Sequence, residues 1–334
     1  MGDPISIITV LKTVNTEADV SSHVKAMSRR LLTLALVATA ACSSSSGPPT
    51  DNTINPPGND VSTPFPIDRS DDGSQTPGTY KSLPLRLVDT GSPTVTAVNG
   101  IIGLVCIGMS NGVLECGDFM QRVKGEYASE INPQVRVANC AVGGNAIERW
   151  IDPAFDAELW DRCINTVLPQ AGFRLDQVRV IWHKAADQFT TGSGNAALPT
   201  YPSTGSDYAN FLDHLGKFAA RVKTKFPAVQ AVYTSSRSYG GFANTVTRGE
   251  PLSYEEGHAL NTWLAFNSHV DGVWYGWGPY LWAPSCASGM TNKSNVCYVR
   301  EDFVADGVHP SDPGQAKVSR MLHARLLREA WYRR

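Results

Sequence analysis

No long cluster of lysine or arginine occurs in this 334-residue chain, and its 29 basic against 31 acidic side chains leave a formal charge of −2. A partner read through its phosphates would need a basic face, so a nucleic-acid function is excluded at the outset. Neither a Cys-x-x-Cys nor a His-x-x-x-His pair is present, which removes the usual zinc patterns, and no metal site is expected. Beyond one stretch near the start, long apolar runs are missing, and no internal repeat is visible. What remains, 42% hydrophobic and 18% charged residues, can bury one large core without requiring a second domain.

The one apolar run, Leu31 to Ala41, follows Ser28-Arg29-Arg30 and is too short to anchor in a bilayer. With its basic flank and the small residues before Cys42 it reads as an export signal over residues 27–41, of the lipoprotein kind if Cys42 becomes the acylated first residue. Thr39 stands where such signals carry Leu or Val, so ordinary cleavage after Ala40 or Ala41 is the alternative. On this reading residues 1–26 are upstream sequence from a misassigned start. Residues 42–80, rich in Ser, Gly, Pro, Asp, Asn and Thr, bury too little to offset the entropy of ordering and form a tether. The folded domain is expected over 81–334, outside the cytoplasm, in the envelope or secreted. The six cysteines left after Cys42 suit disulfides in such a compartment; Cys286 and Cys297, flanking a Ser/Gly/Asn-rich loop, form the simplest pair.

Past the tether, β-rich apolar runs at 103–110, 135–142, 178–184, 229–235 and 270–275 alternate with helical patterns at 115–130, 154–168, 206–226, 254–267 and 312–330. Such alternation predicts a five-stranded, mainly parallel sheet covered by helices on both faces. In that arrangement reactive groups gather beyond the carboxyl ends of the strands. At the first end stands Gly108-Met109-Ser110-Asn111, whose serine is either a helix cap or a nucleophile. The second end, Val142-Gly143-Gly144-Asn145, is either a plain turn or a place where exposed amides meet a ligand. Near the C-terminus, Asp306-Gly307-Val308-His309-Pro310-Ser311 offers a carboxylate that orients an imidazole, or else a Ser311 cap beside a solvent-facing histidine. His183, His258 and His269 have no carboxylate at comparable spacing and read as structural or surface residues.

Together these blocks, in the order Ser, Gly, Asp-x-x-His over roughly residues 100–330, resemble the GDSL/SGNH hydrolase family. The resemblance implies a flavodoxin-like three-layer α/β/α sandwich and a serine esterase that needs no cofactor, with Ser110 as nucleophile, His309 as base and Asp306 as its partner. It also implies an oxyanion hole of the Ser110 and Gly144 amides, with Gly143 a competing assignment. The family's Asn after strand three is missing from Trp182-His183-Lys184-Ala185-Ala186-Asp187-Gln188. Carbohydrate-active branches carry Trp-x-Gln-Gly-Glu there, which nominates Lys184 as third donor and Trp182 as a cleft residue; the plainer role for Lys184 is a pair with Asp187. Cys106 with Cys140 and Cys116 with Cys163 would suit this fold. Asn111, Asn145, Arg237, Tyr239, Trp277 and Tyr280 are further substrate-binding candidates, and the aromatic run Trp274 to Trp282 favours an acetylated carbohydrate by stacking on sugar rings, unless those rings pack in the core. A binding lipoprotein without turnover, motivated by the missing Asn, and an acyltransferase using the same serine are the competing readings. The oligomeric state is not readable.

Overall fold

A computed structural model describes residues 87–190, 205–289, 291–292 and 294–334. The signal, Cys42 and the tether lie outside the described residues.

Six strands form one sheet: β1 (Ile102–Gly108), β2 (Val135–Asn139), β3 (Val178–Lys184), β4 (Ala231–Thr234), β5 (His269–Val270) and β6 (Val273–Trp277), in the order β2-β1-β3-β4-β6-β5. All neighbours pair in parallel except β5 with β6. The parallel five follow the doubly wound flavodoxin-like order, so the expected three-layer α/β/α fold is the observed one. The helices are α1 (Ser110–Lys124), α2 (Ile147–Ile151), α3 (Leu168–Gln170), α4 (Asp207–Lys225), α5 (Leu252–Phe266) and α6 (Asp312–Leu326).

The alternation of side chains along β1 shows why both faces are covered. Ile102, Leu104 and Cys106 pack with Phe119 of α1 and Val318, Met321 and Leu322 of α6. Val105 and Ile107 turn the other way, into a cluster with Trp150 of α2, Phe211, Leu215 and Phe218 of α4 and Leu260 and Leu264 of α5. Each fully buried side chain of this size contributes about 1.5–3 kcal/mol, and with water excluded from both faces all seven residues of β1 are buried.

Three expectations are corrected. The strand expected over 270–275 crosses a hairpin: Asp271 and Gly272 take positive φ values of 50° and 74°, the signature of a two-residue Asp-Gly turn. The sheet therefore has six strands, and the last begins at Val273. The helix expected over 154–168 is mostly π-helical, at Ala157–Asp161 and Cys163–Val167. The disulfides are Cys106–Cys116, Cys140–Cys163 and Cys286–Cys297; only the last matches the pairing read from sequence. Cys106 and Cys116 share the α1–α6 face, whereas Cys140 and Cys163 share the opposite face, so Cys106 and Cys140 leave neighbouring strands on opposite sides of the sheet.

This pairing is directly testable. Trypsin should leave Cys106 and Cys116 within a single peptide, 87–122, lighter by two hydrogens before reduction, and join peptide 137–149 to peptide 163–174. Mass spectrometry finding 87–122 linked to 137–149 would refute it.

Candidate active site

Ser110 is the first residue of α1, with Met109 in the N-cap position and no side-chain cap. Its hydroxyl is therefore not spent on the helix. Instead Ser110 Oγ lies 2.7 Å from His309 Nε2, across a separation of 199 residues. As the first helical residue Ser110 has no intrahelical acceptor for its own N–H, which leaves that donor and the helix dipole pointing at the hydroxyl's surroundings.

The histidine sits in a closed loop. Val304 N–H donates to the His309 carbonyl at 2.9 Å, Gly307 N–H donates to the Val304 carbonyl at 2.9 Å, and Phe303 bridges Pro310. Gly307 has φ +71°, and a side-chain carbon there would fall 1.8 Å from the Phe242 carbonyl oxygen, so only glycine permits this turn. His309 Nδ1 contacts Asp306 Oδ2, while Asp306 Oδ1 accepts the N–H groups of Val308 at 2.9 Å and His309 at 3.0 Å. Desolvation raises the Asp306 carboxyl, but these backbone donors and the imidazole outweigh it and hold the group below its ordinary value. Its stabilising contribution is thus present above the ordinary carboxylate range and lost as pH falls through the lowered value. A proton on Nδ1 facing that carboxylate leaves Nε2 free to accept one from Ser110. Ser311 holds the N-cap position of α6 without capping it; its hydroxyl donates to the Glu301 carbonyl at 2.5 Å.

A cavity of about 220 Å3 opens onto the pair, lined by Met109, Ser110, Asn111, Gly144, Ala146, Gln188, Arg237, Arg248, Val308 and His309. Gly144, at φ +73°, follows β2 in a loop seated against the serine strand by Val142 N–H donating to the Gly108 carbonyl at 3.0 Å. Asn111 Nδ2 donates to the Val308 carbonyl at 2.9 Å, tying the start of α1 to the histidine loop. Tyr239 lines a smaller neighbouring pocket with Met109, Asn111, Arg237 and Arg248.

Other expected site residues stand elsewhere. Lys184 Nζ is buried in an ion pair with Glu115, so its charge is held by that carboxylate and not offered to an oxyanion. The pair expected with Asp187 is absent as well, because Asp187 Oδ1 meets His214 Nδ1 at 2.6 Å. Burial moves both members of the Glu115–Lys184 pair towards their neutral forms, Glu115 up and Lys184 down, and their mutual attraction opposes it. Trp182 points into the α1–α6 layer, where its indole N–H donates to Ser235 Oγ at 3.1 Å. Trp277 lies within β6, bonded to Asn261 Oδ1 at 3.0 Å and edge-on to Tyr280. Both Trp277 and Tyr280 are core residues because β6 starts three residues later than expected. Asn145 is buried and braces the glycine loop, its Nδ2 donating to the Gly143 carbonyl at 2.9 Å. His183 is stacked on Phe218 and desolvation pushes its pKa down to about 3; His258, also buried, is pushed down to about 4. Residues that sequence reasoning missed are Glu115, Gln188 and Arg248. Gln188 is the last residue of the block after strand three that lacks the family's Asn, whereas nothing local marks the other two.

No protein-family model and no curated protein matches the chain. Solved structures similar to it include a lipase/acylhydrolase from Enterococcus faecalis, 14% identical over 68% of this chain and 96% of that one with TM-score 0.38. Two others are a GDSL-like lipase from Bacteroides thetaiotaomicron, at 9%, 70%, 92% and 0.38, and a catalytic mutant of an acetylxylan esterase from Geobacillus stearothermophilus, at 14%, 72%, 100% and 0.39. At these values the likeness says what the chain is similar to and nothing about its substrate.

Breaking the buried pair on one side, by Lys184→Met or Glu115→Gln, should destabilise the protein by about 3–5 kcal/mol, whereas replacing both partners by apolar residues should be near neutral. Urea unfolding with the disulfides intact measures this; single variants as stable as the parent would show that the two groups are not coupled.

Proposed function

We propose that the chain is an exported serine hydrolase of carboxylic esters, and the observation that carries this reading is the relay from Asp306 through His309 to the Ser110 hydroxyl at the mouth of a cavity. His309 takes the hydroxyl proton as Ser110 Oγ attacks the ester carbonyl carbon. The tetrahedral oxyanion is received by the N–H groups of Ser110 and Gly144, and collapse expels the alcohol, which takes the proton from His309. Water, deprotonated by the same imidazole, then attacks the acyl carbonyl carbon; the bond to Ser110 Oγ breaks, the acid leaves, and His309 returns the proton to Oγ. Asp306 holds the ring tautomer and stabilises its cation throughout.

Gln188 takes the third donor position in place of Lys184. Its residue lines the cavity, and among the described residues its side chain makes no hydrogen bond. A cavity of about 220 Å3 lies below the roughly 300–1,000 Å3 of drug-sized sites, which favours a short acyl group such as acetyl. With Trp277 and Tyr280 packed in the core, ring stacking no longer supports a sugar alcohol. The polar lining, Asn111, Gln188, Arg237 and Arg248, supports a hydroxylated alcohol half instead. Three disulfides support an oxidising compartment, and acylation of Cys42 belongs to the same proposal. The contact between Ser110 and His309 favours turnover over a binding module, which has no use for an activated hydroxyl.

A fluorophosphonate probe should label the protein and fail to label Ser110→Ala; an unlabelled parent would reject the hydrolase reading. Asp306→Asn should lower kcat by about 10^4 through the wrong tautomer. Gln188→Ala should lower kcat by about 10^2–10^3 on a short acyl ester, and an unchanged kcat would remove Gln188 from the oxyanion hole.

A further inference from the structure

Two guanidinium groups share the cavity with the nucleophile. Arg237 follows β4, Arg248 ends the short helical turn Val246–Arg248, and both line the space that holds Ser110 and His309. No carboxylate stands among the described lining residues. Arg237 is only 8% exposed, and a buried cation is costly unless an opposite charge or several acceptors meet it. Its visible hydrogen bond is from Nη1 to the Asp187 carbonyl at 2.7 Å. Among the described residues neither arginine makes an ion pair; Arg248 has only the face of Phe189, 5.2 Å from its guanidinium carbon.

The acidic side chains whose titration responds to the Arg237 charge are Glu250 and Glu256, and neither forms an ion pair with it among the described residues: both Glu250 oxygens serve other donors, Glu256 Oε1 accepts a backbone N–H, and Glu256 Oε2 is buried without a hydrogen-bond partner. Glu250 accepts from Gly240 N–H at 2.8 Å, Trp282 Nε1 at 2.9 Å and Tyr254 N–H at 3.1 Å. Glu256 accepts from Asp187 N–H at 2.8 Å. Burial pushes both carboxyls up, towards the uncharged form. The nearby ammonium of Lys184 is taken by Glu115. The cavity therefore presents unspent positive charge and fork-shaped donors beside the reacting hydroxyl, a geometry that matches the paired oxygens of a carboxylate.

We propose that Arg237 and Arg248 are specificity residues that bind a carboxylate of the substrate, so that the preferred ester is an anion. This inference rests on the ester-hydrolase reading above. The carboxylate belongs either to the alcohol half, as in an acetylated uronic acid sugar, or to the acyl half, as in a succinyl ester. Both sources place the negative group within a few bonds of the scissile carbonyl.

The test compares kcat/KM for matched pairs at low ionic strength: methyl O-acetyl-galacturonate against methyl O-acetyl-galactoside, and p-nitrophenyl succinate against p-nitrophenyl butyrate. The carboxylate-bearing member of one pair should be preferred by about tenfold or more, and which pair shows the preference identifies the half that carries the charge. The preference should shrink as salt is added. It should collapse to near unity in Arg248→Gln and survive in part in Arg248→Lys; Arg248 is half-buried on a loop, so this variant serves even where Arg237→Gln fails to fold. Hydrolysis of neutral and anionic esters at equal rates, or a preference that survives both glutamine variants, overturns the inference while leaving the hydrolase intact. No turnover of any ester together with no fluorophosphonate labelling overturns both.

Discussion

Glu115 and Lys184 meet where water does not reach, and much of the site depends on how firmly that contact joins α1 to the end of β3. Next to Glu115, Cys116 is bonded to Cys106 of β1. One helix turn therefore carries two restraints on adjacent residues, a covalent one to its own preceding strand and an ionic one to the neighbouring strand. Ser110 begins that helix. An ionised pair in a dry interior is a weak source of net stability compared with apolar residues of the same volume, but it tolerates few alternative geometries. Precise placement of a hydroxyl, where an error near 1 Å can reduce rate about a hundredfold, is what such a pair is suited to supply.

The other half of the site is organised by short-range hydrogen bonding. Phe303 to Pro310 closes on itself, Gly307 takes a conformation that other residues resist, and Asp306 spends one oxygen on backbone donors and the other on the imidazole. Asn111 joins the halves through the Val308 carbonyl. The histidine loop thus meets the serine turn with Nε2 and Oγ already 2.7 Å apart.

The layers, four of the five parallel strands and the Ser, Gly and Asp-x-x-His blocks were legible in the sequence because each is a local signal: alternating apolar runs, adjacent glycines, a carboxylate three residues before an imidazole. The hairpin at Asp271-Gly272 was equally local and was simply overrun by a longer apolar pattern. What escaped was pairing at a distance. The partner of Lys184 lies 69 residues earlier in the chain, and no spacing rule reaches that far. Disulfide connectivity turned on which face of the sheet each cysteine leaves, a question of register and twist. Position at a strand end, together with motif resemblance for Trp182 and ring type for Trp277 and Tyr280, points to a cleft, whereas burial on two covered faces claims all three for the core.

The Cys106–Cys116 bond spans ten positions along the chain, and Ser110 lies inside the ring it closes. Loss of that bond would act first on the turn that carries Ser110, while the histidine loop is held by its own hydrogen bonds and by Phe303 packed against Phe242 and Tyr298. The covalent ring thus encloses Ser110, whereas Asp306 and His309 lie outside it.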